Sequence, residues 1–365
     1  LELQLDLDTL SGLLTGQMAD LSASLRAGRN EIGFTGRAGL SPVMAEGALD
    51  FALPDRPALS ALIGRALPDL PEGFGARDLA LEAALSLTAK GSLHLRGAEL
   101  RLDDRRIAAD LDWLPGEARP KLLAKLTTET LTLPIPASGG TEGAETGWST
   151  EPFQADWLGA LDADLALVAQ SVQIGPAHLG PTRARLTLEA ARGVLTLTKA
   201  EAWGGQIEGL IVLNGRKGLS ASADLTATNL DLQTALTQMA GSARLAGQAN
   251  ARIKVLAVGA TQEAMIRSLK GETLLQVGKG EVVGLDIAGM LRTMDPGYVG
   301  SGRKTLFDSL SITGKIENGI WRSDDLALMA KGFAARGVGS VDLGGRMLEY
   351  RLLPRLGTNG SEVPV

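Results

Sequence analysis

The side chains best suited to acid–base or metal chemistry are two histidines, His94 and His178, and two adjacent acid pairs, Asp103-Asp104 and Asp324-Asp325. A histidine can take or give a proton near neutral pH, and two carboxylates in one site could serve as acid and base or hold a cation. Their settings speak against each role. His94 alternates with Leu93 and Leu95, which places it on the polar face of a strand, and His178 sits in the other half of the chain among different neighbours. Adjacent residues on a strand point to opposite faces, so neither acid pair converges on one substrate. Aspartate is also a good turn residue. No HExxH, GxSxG, Walker or EF-hand pattern occurs. Gly337-x-Gly339 and Gly344-Gly345 look superficially like phosphate loops, but neither opens a helix, and they read as strand bends and turns. Lys279, Arg303-Lys304 and Lys331 are isolated cations that could meet lipid phosphates and otherwise read as surface charge. The residues thus describe a non-enzyme with no metal or cofactor.

Composition agrees. The 365 residues are ample for a core, cysteine is absent, and a net charge of -6 without a basic run argues against nucleic-acid binding. Apolar weight rests on Leu, Ala, Val and Ile, since aromatic residues make up only 4%. No apolar run approaches the roughly 20 residues of a membrane-spanning helix. Leu1 opens directly into alternation without a leader pattern or an initiator Met, so the chain reads as a fragment, with any membrane anchor outside it.

The elements that would position these side chains are strands. In the clearest stretch, Ser309–Arg355, Leu310, Ile312, Gly314 and Ile316 alternate with Ser311, Thr313 and Lys315, the period of a strand with one dry face. Asn318-Gly319 predicts a tight hairpin turn. A return run, Ile320 to Ala330, carries Leu326 and Leu328. Val341 and Leu343 follow, then a turn at Gly344-Gly345, then Leu348, Tyr350 and Leu352. Similar alternation runs through residues 1–53 and 78–133, and again from Leu165 onward with turns at Arg192-Gly193 and Asn214-Gly215. Short helices are predicted over 57–64, 231–239, 261–269 and 285–294. Residues 134–150, rich in Pro, Gly, Ser and Thr, read as a mobile insertion or linker. The domain division is therefore 1–133, the linker 134–150, and 151–365. The fold class is mainly β, a long curved antiparallel meander sheet with a few short helices.

Several patterns together resemble the bacterial AsmA family. They are Thr305-x-Phe307-x-x-Leu310; Gly319 followed by Asp325-Leu326; and Gly337-x-Gly339-x-Val341-Asp342-Leu343. Upstream stand Ser268-Leu269-Lys270-Gly271, Gly280-x-Val282-x-Gly284-Leu285-Asp286-Ile287 with Leu291-Arg292, Gly204-Gly205-x-Ile207-x-Gly209, and Asn229-Leu230-Asp231-Leu232. The resemblance covers roughly Trp157 to Leu356, and Gly33–Leu133 is similar to the family's middle region more loosely. Each motif is a turn or alternation pattern without a reactive residue; their order carries the specificity.

The resemblance implies an envelope protein, periplasmic and anchored in the inner membrane, related to TamB and the bridge-like lipid-transfer proteins. Its implied work is supporting outer-membrane assembly, by conducting phospholipid along an open hydrophobic β-groove. Partners would be phospholipid acyl chains, bacterial envelope membranes and envelope proteins, with no nucleic acid. The groove floor in the last meander is then Leu310, Ile312, Ile316, Leu326, Leu328, Val341, Leu343, Leu348, Tyr350 and Leu352, some of them packed against the 285–294 helix. Two other readings stand beside it. One is a scaffold whose groove is filled by its own side chains and which binds only proteins. The other is an outer-membrane barrel, which would need longer strands and more Trp and Tyr.

Overall fold

The computed structural model describes residues 2–7, 17–55, 60, 75–133, 147–293 and 304–357. The predicted 57–64 helix, apart from Ser60, lies outside them, as do 134–146 of the linker segment and Met294. Alternation dominates the described chain as predicted. Twenty strands form one open antiparallel sheet, and the chain divides into two compact units.

The first unit comprises Leu1–Pro134, Gly159–Val172 and Arg183–Ala190. In it β1 (Glu2–Leu7), β2 (Ala19–Ala27), β3 (Asn30–Leu40), β4 (Val43–Ala52), β5 (Leu79–Leu87), β6 (Leu93–Leu102), β7 (Arg105–Leu114) and β8 (Lys121–Leu133) each pair with the next. The register aligns one apolar parity across all eight: Leu5, Ala23, Phe34, Leu49 and Ala83 follow one another directly from β1 to β5. Bulges at Glu82/Ala84 and Leu95/Ala98 add the local twist and bend that draw such a face in on itself. Leu81, Ala83, Leu95, Ala98 and Ala109 are buried there, flanked by Leu49, Phe51, Leu100, Leu111 and Leu126. A hairpin of β9 (Asp162–Ile174) and β10 (Ala177–Glu189) is divided between the units.

The second unit comprises Ile135–Leu158, Gln173–Thr182 and Ala191–Val365. Its strands are β11 (Arg192–Ala202), β12 (Gly205–Asn214), β13 (Ser220–Asp231), β14 (Leu245–Val258), β15 (Lys270–Val283), β16 (Lys304–Phe307), β17 (Ser309–Glu317), β18 (Ile320–Ala330), β19 (Phe333–Asp342) and β20 (Met347–Leu356). They pair in chain order, with β16 and β17 both on β15. Among the described residues β1 pairs only with β2 and β20 only with β19.

Three short helices interrupt the second unit where the sequence placed them. Helix α1 (Leu232–Ala240) is capped by Asp231, whose carboxylate accepts from Thr234 N at 2.8 Å, and ends at Gly241 in the left-handed region. Helix α2 (Gln262–Ser268) is capped by Thr261. Helix α3 (Ile287–Thr293) begins beside Asp286, which accepts from Gly289 N at 2.8 Å. Buried Thr305 clamps that start to β16: its Oγ1 accepts from Ile287 N at 2.9 Å and donates to Leu285 O at 2.7 Å.

Two turns differ from the sequence reading. The β10–β11 turn falls at Ala190-Ala191, both at positive φ, and Arg192-Gly193 opens the following strand. Sequence preference misses it because alanine rarely adopts this conformation. Leu343 belongs to the 343–346 turn, so the β19 strand ends at Asp342. Asp342 closes this turn by accepting from Gly345 N at 2.8 Å.

Candidate functional site

Strand register decides which side chains share a face, and it aligns the predicted floor. Val277, Leu310, Leu328 and Ala335 stand opposite one another from β15 to β19. Leu275 faces Ile312, and Leu326, Gly337 and Leu352 align on β18–β20. Ile316, Trp321, Val341 and Leu348 form a further row. Nine of the ten candidates thus lie on one face, the exception being Leu343 in its turn.

Their surroundings differ. Leu310 and Leu328 are buried in a core with Leu232 of α1 and Ile287 and Leu291 of α3, and Ile312 and Leu326 pack against it. Helix α3 contacts both β16 and β20, so it lies across the face rather than along one strand. This end of the floor is filled. Ile316 is also buried, Val341 and Tyr350 are half-buried, and Leu348 and Leu352 on β20 are exposed.

Sequence alternation missed Trp321. A bulge between Ser323 and Leu326 inserts one residue into β18, and the parity of the dry face switches there. Trp321 therefore shares a face with Leu328 despite its odd number. Its ring lies where a side chain at Gly314 would stand, and its Nε1 donates to Thr273 Oγ1 at 2.8 Å. Tyr350 stacks on it, with ring centroids 6.4 Å apart, and covers Gly337 and Gly339. These glycines are sites where an aromatic ring replaces the missing side chain. An aliphatic stripe interrupted by glycine, facing Trp or Tyr on the neighbouring strand, was the available signal.

The bulge also accounts for Asp324-Asp325. Asp325 accepts from Thr313 N at 2.8 Å, from Thr313 Oγ1 at 2.5 Å and from Ser323 Oγ at 3.2 Å. Burial pushes its carboxyl upward, but these hydrogen bonds outweigh that and hold it below the usual carboxylate range. It is a structural tie. Asp103, at positive φ in the β6–β7 turn, accepts from Arg77 N and Asp78 N, again as a structural tie. His94 pairs with Asp112 at 2.5 Å on the polar face, where Arg96 joins them. Partial burial raises the Asp112 carboxyl, and the His94 and Arg96 hydrogen bonds more than reverse it. His178 lies across a shallow cleft of about 470 Å³ with Lys199 and Glu201. Among the described residues no group of three or more His, Asp or Glu side chains is placed to hold a metal ion. None of their helices is long and apolar enough to cross a membrane.

The floor continues from β11 to β15 without the α1 and α3 core over its middle rows. Ile211, Ala223, Val255 and Gly271 form one row, and Leu225, Ile253 and Thr273 another. Ile253 is 44% exposed, an apolar side chain standing open on this face. The reverse face is charged in register, Asp224, Lys254, Glu272 and Lys315 alternating in sign across four strands. Cross-strand pairs of opposite charge hold such a face in water. Among the described residues the geometry offers an apolar floor, a wet back and no reactive constellation.

The AsmA family model matches residues 137–326, which is about half of the 365. No curated protein and no solved structure matches the chain.

Proposed function

The chain belongs to the AsmA family, and on that premise we propose that it carries phospholipid by its acyl chains along the apolar face of its open sheet, in the service of the cell envelope. The single observation behind this reading is the set of apolar middle rows of β12–β15, with Ile253 exposed among them. An acyl chain laid on such a floor gains about 0.8 kcal/mol per buried methylene. Ten methylenes gain about 8 kcal/mol by the same measure, enough to hold a lipid out of water. The mechanism is passive: tails slide on aliphatic side chains that offer no deep polar site, and head groups stay in water at the rim. No covalent step enters. The proposed location is the periplasm, with tethering to the inner membrane and a role in outer-membrane assembly, on the strength of the family resemblance.

A second reading, a scaffold that binds only proteins, draws on the stretch where α1 and α3 already fill the face. Lipid extraction and mass spectrometry of the purified protein separate the two. Phospholipid should co-purify with the parent and with Gln276→Asp, whose side chain is exposed on the wet face. It should be lost from folded Ile253→Asp, because acyl chains cannot relieve the desolvation of a buried charge. A parent free of lipid, or equal retention by both variants, leaves the scaffold in its place.

A further inference from the structure

Among the described residues strand β20 offers an unpaired edge carrying apolar side chains on both of its faces. Leu348 is 72% and Met347 65% exposed, and Leu352 and Leu353 are exposed as well. A long open edge of this kind is a template for another strand. Its main-chain groups can be assigned. Gly357 N donates to Gly332 O at 3.0 Å, one step beyond the β19–β20 ladder. Bonding alternates along an antiparallel pair. Met347, Glu349, Arg351 and Leu353 therefore bond inward to β19, while Leu348, Tyr350 and Leu352 direct their N–H and C=O groups to the free edge. Pro354, the next outward position, has no N–H and ends the open ladder.

The side chains along this edge are self-complementary. Reversed about Tyr350, the strand sets Glu349 against Arg351, Leu348 against Leu352 and Met347 against Leu353. Glu349 and Arg351 face only Ser340 and Val338 on β19, and neither has an ion-pair partner among the described residues. We propose that two copies of this chain join by antiparallel pairing of β20 with β20 about a two-fold axis through Tyr350. The Glu349–Arg351 pair then forms twice, once on each side of the axis, as an isologous interface requires. The outward groups of Leu348, Tyr350 and Leu352 meet their counterparts, and the exposed apolar side chains are covered in pairs. The axis stands perpendicular to the sheet, so the dry faces of the two β20 strands continue into each other across the seam.

Sedimentation velocity over a concentration series, on the whole chain, tests this. The parent should show a monomer–dimer equilibrium. Glu349→Arg and Arg351→Glu, each leaving two like-charged pairs at the seam, should weaken it at least about tenfold. The double exchange Glu349→Arg/Arg351→Glu should restore the dimer. Because the chain has no cysteine, a second readout is clean. Leu348→Cys and Leu352→Cys, oxidised separately, should stay uncrosslinked, since like positions lie about 13 Å apart along the strands. Mixed, they should form a disulfide-linked dimer. A parent that remains monomeric throughout, or a dimer indifferent to the single exchanges whose mixed cysteine variants do not crosslink, overturns the proposal.

Discussion

Gly319 shows how tightly single positions are specified. It sits at φ 76° after Asn318 at 51°, the pair of left-handed residues that a tight hairpin turn requires. A Cβ there would also stand 2.5 Å from Ile266 O, and the Gly319 amide donates to Leu269 O at 2.9 Å. Gly319→Ala should therefore destabilise the second unit by at least about 1–2 kcal/mol, read from the urea midpoint; an unchanged midpoint refutes this reading of the turn. Asp325 makes a pH-dependent contribution. Its folded carboxyl binds a proton less readily than in the unfolded chain, so the stability it adds is present above the unfolded value near 4 and is lost as pH falls through the depressed folded one. Asp112 and Asp164, the latter held low chiefly by Arg185, act with the same sign. The fall in urea midpoint between pH 7 and pH 3 should be smaller in Asp325→Asn than in the parent. An equal fall would show that Thr313 and Ser323 do not distinguish the charged carboxylate.

Among the elements, helix α3 carries more than its seven residues suggest. It is far too short to be stable alone and exists because Ile287 and Leu291 are buried in the sheet face and Thr305 holds its first turn. Leu291→Ala should cost about 2–5 kcal/mol, and circular dichroism should show the sheet retained. A loss below about 1 kcal/mol would mean that the helix is not part of this core. The β10–β11 turn offers the opposite test. Ala190 and Ala191 both occupy the left-handed region, a conformation that costs roughly 1–2 kcal/mol per residue. Replacing them by Asn-Gly should raise the melting temperature; a lower one would show that the alanine methyl groups do more than tolerate the turn. Residues 147–150, the described end of the segment whose composition reads as linker, are also held, as is Phe153 just beyond it. Trp148 donates to Leu343 O at 2.8 Å, Arg346 lies 4.5 Å over its ring, and Phe153 N donates to Ala260 O.

For the whole molecule, the proposed cargo predicts a shift that no single contact supplies. A ligand that binds only the folded state raises stability by mass action. Delipidated protein should melt at a lower temperature than protein as purified, and adding phospholipid should restore the difference. Equal melting temperatures before and after delipidation would count against a lipid-bearing floor.

The sequence by itself determined the strands, three of the helices and the parity of the last meander outside the β18 bulge and the Leu343 turn. Each rests on local information: alternation of two, a capping Asp or Thr, and an Asn-Gly pair. Those signals survive folding because side-chain direction along a strand is fixed by the backbone alone. What the floor residues face was decided only by the tertiary structure. Leu310 and Ile253 are both aliphatic residues on alternating strands, yet one is buried beneath α1 and α3 and the other stands open. Nothing within their own strands records that difference, because it depends on helices more than ten residues away in sequence. The bulge in β18 is a second such decision. It reversed the parity of Trp321 and turned an apparent acid pair into the tie that holds the bulge, since an extra residue is visible only against the partner strand it fails to match.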